Sequence, residues 1–75
     1  MTYSHDLLRH LRFIIGQNIQ RQRVERKIPL RKLARLTHIN ESRLDQFELG
    51  KNEIRLDELL KIACALGTKI GGLIL

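Results

Sequence analysis

The chain is poor in residues that build rigid or reactive scaffolds: among 75 residues it has one cysteine, one proline, no tryptophan and three other aromatics. A single cysteine, Cys64, allows neither a disulfide framework nor a thiolate metal cluster, which suits a reducing, cytoplasmic setting. His5, His10 and His38 do not fall at metal-ligand spacing, so no metal is expected. No run of 18 apolar residues exists, so no segment is expected to span a membrane. His5 and Arg9 interrupt the apolar residues at the N-terminus, and no small-residue cleavage site follows, so a secretory signal is not expected either. No strand-like alternation, internal repeat or low-complexity linker appears. No catalytic constellation is visible, and so short a chain has little core to spare for a walled pocket; neither an enzyme nor a cofactor is expected.

What is present is an excess of positive charge. Fourteen Lys and Arg oppose eight Asp and Glu, a net +6, and the pI is ≈ 10.3. The apolar share of 43% against 29% charged residues still describes a folded chain rather than a disordered tail. The basic excess is uneven: residues 1–28 carry six cations (Arg9, Arg12, Arg21, Arg23, Arg26, Lys27) against Asp6 and Glu25. Such a field favours a polyanion: nucleic acid, an acidic protein or an anionic membrane surface. Charge alone does not choose among them.

Periodicity predicts an all-α chain of five helices. Leu8, Leu11, Ile15 and Ile19 recur at spacings of three and four, predicting a helix from about 5 to 27 with Ser4 as its N-cap. Gly16 inside it reads as a close helix–helix contact, with a break into two helices as the alternative. Pro29 closes that segment and is placed to occupy the first position of a second helix over 30–37, with Leu30, Leu33, Ala34 and Leu36 inward. His38-Ile39-Asn40 connects to a third helix at 41–49, which Asn40 caps and Gly50 stops; Leu44 and Phe47 form its apolar face. After a polar loop, Lys51 to Arg55, a fourth helix runs 56–66 with Leu56, Leu59, Leu60, Ala63 and Leu66 inward. Gly67 ends it, and Thr68 is expected to cap a last short helix.

Two short helices joined by three residues, the second opening on a strong N-cap, match the geometry of a DNA-binding helix-turn-helix. At this point the sequence resembles the Cro/phage-repressor-like (XRE-type) helix-turn-helix family. The resemblance is carried by Leu33-Ala34, Ile39-Asn40, Leu44, Phe47-Glu48, Gly50-Lys51 and Leu66-Gly67, in that order and spacing. It spans about residues 15–75 of a single 1–75 domain and leaves 1–14 as an N-terminal helical extension. It implies a five-helix domain that dimerises and sets helix 3 in the major groove of double-stranded DNA.

The family's base-facing positions fall on Glu41, Ser42, Arg43 and Gln46. Gln46 suits a bidentate contact to adenine, Arg43 suits guanine O6/N7 or a phosphate, and Glu41 can accept from cytosine N4 or repel a phosphate. Arg23, Arg31, Lys51, Asn52 and Arg55, at helix ends and in loops, are candidates for phosphate contacts. The resemblance also pairs Glu48 with Arg23, a structural ion pair between helices 3 and 1. Pro29 and Leu30 depart from the family, which often places Ser/Thr and Gln there to grip a phosphate; His38 stands where Gly is usual. Glu41, Asp45 and Glu48 against only Arg43 make helix 3 acidic for a groove reader.

Other residues have plainer readings. Cys64, among Ala63, Ala65 and Leu66, is expected to be a small semi-buried hydrophobe. The apolar segment containing Ile70, Leu73, Ile74 and Leu75 is expected to fold back on the core or to form part of a dimer seam. The expectation is a bacterial or phage transcription regulator, homodimeric on an inverted repeat and nucleoid-associated when bound to DNA. The alternative is a protein-interaction module or an antitoxin-like protein, whose partner is a toxin or the transcription machinery.

Overall fold

The computed structural model describes residues 5–75, and Ser4, the expected cap of the first helix, lies outside them. Among the described residues the chain has five helices and no strand: α1 (His5–Glu25), α2 (Leu30–Thr37), α3 (Glu41–Glu48), α4 (Leu56–Leu66) and α5 (Gly71–Ile74). Ile19, Leu33, Leu44, Phe47, Ile62, Leu66 and Leu73 meet in one core to which every helix contributes.

α1 is unbroken at Gly16, which is buried where α1 crosses the end of α3. A Cβ on Gly16 would collide with the carbonyl oxygen of Phe47 and lie 2.9 Å from that of Glu48. The absence of a side chain lets two backbones touch. The helix stops at Glu25, two residues early, because Lys27 turns left-handed at φ 56. Ile28 N–H then donates to Arg23 O and Lys27 N–H to Val24 O, satisfying the last carbonyls of the helix. Pro29 is the N-cap of α2 rather than its first residue; its extended ψ of 149 aims its carbonyl at the N–H groups of Lys32 and Leu33.

The inward faces differ from expectation in places. Leu36 is half exposed and Thr37 is buried instead, its hydroxyl donating 2.7 Å to Leu33 O while Ile39 N–H donates to it at 3.3 Å. On α4, Leu56 and Leu60 face outward and Ile62 is fully buried. Apolar residues run nearly round that helix, so two registers compete; the line Leu59-Ile62-Ala63-Leu66 wins because it meets α2 and α1. Cys64 falls on the outward side and is exposed, not semi-buried. Leu8 and Leu11 are over a third exposed, beside Ile15, Ile54 and Leu59 in an open groove. The 21 residues of α1 span about 32 Å at 1.5 Å each, more than the body's 23 × 20 Å cross-section, so its N-terminal turns overrun the core.

Thr68 caps nothing: its N–H closes the end of α4 on Ala63 O, and α5 begins three residues later. Leu73 is fully buried within its own chain, which removes it from any dimer seam. α5 is tied to α1 by side-chain amides, Asn18 Nδ2 donating to Leu73 O and Gln22 Nε2 to Gly72 O, each at 2.8 Å.

Gly16→Ala tests the α1–α3 contact. In an ordinary helix this change gains about 1 kcal/mol. Here overpacking against fixed backbone is expected to cost roughly 2 kcal/mol, a fall in Tm of about 10 °C in a thermal melt. A raised Tm would show that the helices can part without cost.

Candidate nucleic-acid interface

α2, the connection 38–40 and α3 form the candidate interface. The turn is made by His38 at φ 57, a left-handed conformation that His tolerates at modest cost, so the position does without glycine. Ile39 is buried and anchors the turn. Asn40 then opens α3: its side-chain oxygen accepts from Ser42 N–H at 2.8 Å and Arg43 N–H at 3.3 Å. Two of the donors that every helix start leaves unpaired are thereby satisfied. Gly50, at φ 72, ends α3 as expected, and Lys51 N–H reaches back to Gln46 O.

With Leu44, Phe47 and Glu48 buried, the outward line of α3 is Glu41, Ser42, Asp45 and Gln46. Glu41 and Ser42 are exposed and Gln46 is half-buried. Glu48 is withdrawn from the surface. Its side chain is 3% exposed and accepts a fork from Arg23, Nε at 2.7 Å and Nη2 at 3.0 Å. Arg23 also donates through Nη1 to Ile28 O at 2.9 Å, and its hydrogen bond with Glu48 raises its pKa above the ordinary arginine value. Arg23 is therefore committed to the interior, and the second role expected for it, at a phosphate, does not fit its geometry.

Arg43 has a partner that sequence spacing did not point to. Nε donates to Glu58 Oε2 at 2.7 Å and Nη2 to Oε1 at 2.9 Å, while the guanidinium lies 4.8 Å from the centroid of the Phe47 ring. Hydrogen bonding to Arg43 holds the Glu58 carboxyl below its ordinary pKa, and the same bond raises that of Arg43. The only signal available in the sequence was a carboxylate in the first turn of α4, where Glu58 accepts from Arg55 N–H at 3.0 Å.

The positive charge comes from neighbouring elements. Arg31 and Lys51 are exposed and, among the described residues, have no carboxylate partner; Lys32 and Arg35 on α2, not singled out from the sequence, are in the same state. Asn52 is half-buried, and Arg55 is exposed but bonded to Asp57 at 3.0 Å. No helix among the described residues is long and apolar enough to cross a membrane.

This arrangement of two helices, a left-handed turn and a capped outward helix is that of DNA-binding regulators, and comparison with known proteins agrees. The Helix-turn-helix family model matches residues 19–73, and the chain belongs to that family, in its XRE type, a class of DNA-binding transcription regulators. Solved structures share the fold. The clp gene regulator ClgR from Corynebacterium glutamicum superposes with a TM-score of 0.82 at 25% identity, covering 84% of this chain and 67% of its own. The restriction-modification controller protein C.AhdI from Aeromonas hydrophila gives 0.80 at 26%, covering 83% and 94%. The hypothetical transcription factor NHTF from Neisseria gives 0.82 at 28%, covering 87% and 75%. No match was found among curated proteins by sequence.

Two measurements check the ion pairs. Glu48→Ala strands the Arg23 charge in the interior and is expected to cost about 3 kcal/mol in denaturant unfolding, with Glu48→Gln costing less. Glu58 titrates lower in the folded state than unfolded, so its contribution is fully present above the ordinary glutamate range and is lost as pH falls through its depressed folded value. The Tm difference between wild type and Glu58→Gln is expected to be constant near neutrality and to shrink on acidification. A difference independent of pH would show that the charge of Glu58 does not contribute.

Proposed function

We propose that the chain regulates transcription by occupying a short inverted-repeat site in double-stranded DNA as a homodimer, with α3 of each subunit in the major groove. The observation that carries this reading is the state of α3. Its outward line is open to a ligand, its start is fixed by Asn40, and unpaired cations lie on the elements immediately before and after it. Ser42 and Gln46 discriminate bases, Gln46 through the donor and acceptor that adenine matches, and Glu41 accepts from cytosine. Arg31, Lys51 and Asn52 hold phosphates, with Arg55 joining them once it leaves Asp57. Arg43 contributes as its pairing with Glu58 allows.

Residues 1–75 act as one domain, and of its N-terminal extension 1–14 the described part, from residue 5 on, is the start of α1. For the seam between subunits, Ile70, Ile74 and Leu75 remain candidates without Leu73. Leu60 and Cys64 add apolar surface at a four-residue step along α4, and Leu36 shares a shallow cavity with Cys64, Lys61 and Ala65. A cytoplasmic, nucleoid-bound location follows from this role. The second reading, a protein partner such as a toxin or the transcription machinery, draws on the open apolar groove beside Leu8 and Leu11.

Selection from a random duplex pool tests the reading, with a two-fold symmetric sequence as the expected result. Gln46→Ala is expected to lose about 1–3 kcal/mol on that site and little on random DNA. Lys51→Ala is expected to weaken all duplexes alike and to lower the salt slope by about one unit. Equal losses on both duplexes for Gln46→Ala would remove α3 as the reader. Failure to shift any duplex at low salt would favour the protein partner.

A further inference from the structure

Arg43 is the one cation on α3, and its position in the sequence suits a guanine reader. The fold gives its guanidinium another occupation. The edge formed by Nε and Nη2, where two N–H groups lie parallel, is filled by the two oxygens of Glu58. Nη2 is further directed at the backbone oxygen of Glu53, 3.5 Å away, and the guanidinium rests over Phe47. These restraints draw the side chain toward the 51–55 loop and the first turn of α4, along the flank of α3 rather than its outward line. Among the described residues, Nη1 alone of its nitrogens makes no hydrogen bond.

Guanine is distinguished in the major groove by two acceptors, O6 and N7, met by two donors from one side chain. A fork already closed on a carboxylate does not offer that pair. Exchanging Glu58 for guanine would leave a carboxylate, 12% exposed and fixed by the Arg55 N–H, uncompensated beside the phosphate backbone. We propose that Glu58 determines specificity through Arg43: by closing the Nε–Nη2 fork it silences guanine selection at one position of each half-site and leaves discrimination to Glu41, Ser42 and Gln46. Glu58 is thus a positioning residue acting through another side chain. The inference rests on α3 being the reading helix.

The test compares sites selected from a random duplex pool by the full-length wild type, Glu58→Gln, Arg43→Ala and the double variant. Glu58→Gln keeps an oxygen for the Arg55 N–H and removes the charge and one acceptor of the fork. It is expected to gain a guanine preference of about tenfold at one position per half-site and a salt slope steeper by about one unit per subunit. The double variant is expected to lose both gains, and Arg43→Ala alone to select the wild-type sequence. If Glu58→Gln melts too low to assay, Glu58→Asp, one methylene short of the fork, is expected to gain the same guanine. A wild-type guanine that Arg43→Ala abolishes would overturn the inference. So would a Glu58→Gln site and salt slope identical to wild type. If neither protein shifts DNA at low salt, the reading of α3 fails and this inference falls with it; if both bind identically, this inference alone falls.

Discussion

The placement of α3 against α1 rests on two neighbouring contacts, and the interface depends on both. At Gly16 the α1 backbone touches the carbonyls of Phe47 and Glu48. Seven residues further along α1, Arg23 closes its fork on Glu48. The two points lie about 10 Å apart along the axis of α1, which restrains the crossing of the helices and the rotation of α3 about its own axis. That rotation decides which residues face outward. With Glu48 turned in, the outward line starts from Glu41, Ser42, Asp45 and Gln46; turned by 100°, one residue's worth, Leu44 would leave the core.

Both ion pairs involving α3 also alter what its surface offers. Glu48 and Arg43 are each neutralised by a partner on another helix, so the helix that looks acidic in sequence presents Glu41 and Asp45 as its uncancelled charges. Next to α3, positive charge sits instead on α2 and on the loop after α3. In the proposed function, attraction to a polyanion and discrimination by α3 thereby fall to different elements. Mutating one class need not perturb the other.

Much of this was legible from local signals. Asn40 marks a helix start by its side-chain oxygen and Gly50 and Gly67 mark helix ends by their left-handed backbones, while Pro29 marks the start of α2. The Arg23–Glu48 pair followed from the resemblance rather than from spacing. Local signals did not settle facing in short, apolar-rich helices: Leu36 and Leu60 gave up their inward places to Thr37 and Ile62 because tertiary packing, not pattern, chose the register. Thr37 in particular is hidden by a hydroxyl that bonds its own helix, which lets a polar residue take a core position. The Arg43–Glu58 fork spans fifteen residues with no intervening pattern, and it became visible only when α4 was in place.

The amides of Asn18 and Gln22 have a consequence for the order in which the molecule is assembled. A helix of four residues does not form alone, since the cost of nucleation exceeds what one turn returns. α5 owes its shape to Leu73 in the core and to two carbonyls held across 55 and 50 residues of chain. Contacts of such long range add to the contact order and form after the helices they join. α5 therefore takes its shape only against an α1 already in place. In the native state the same step in reverse is a local opening, so the amides of 72–74 are expected to exchange with solvent ahead of those around the buried Ile19 of α1.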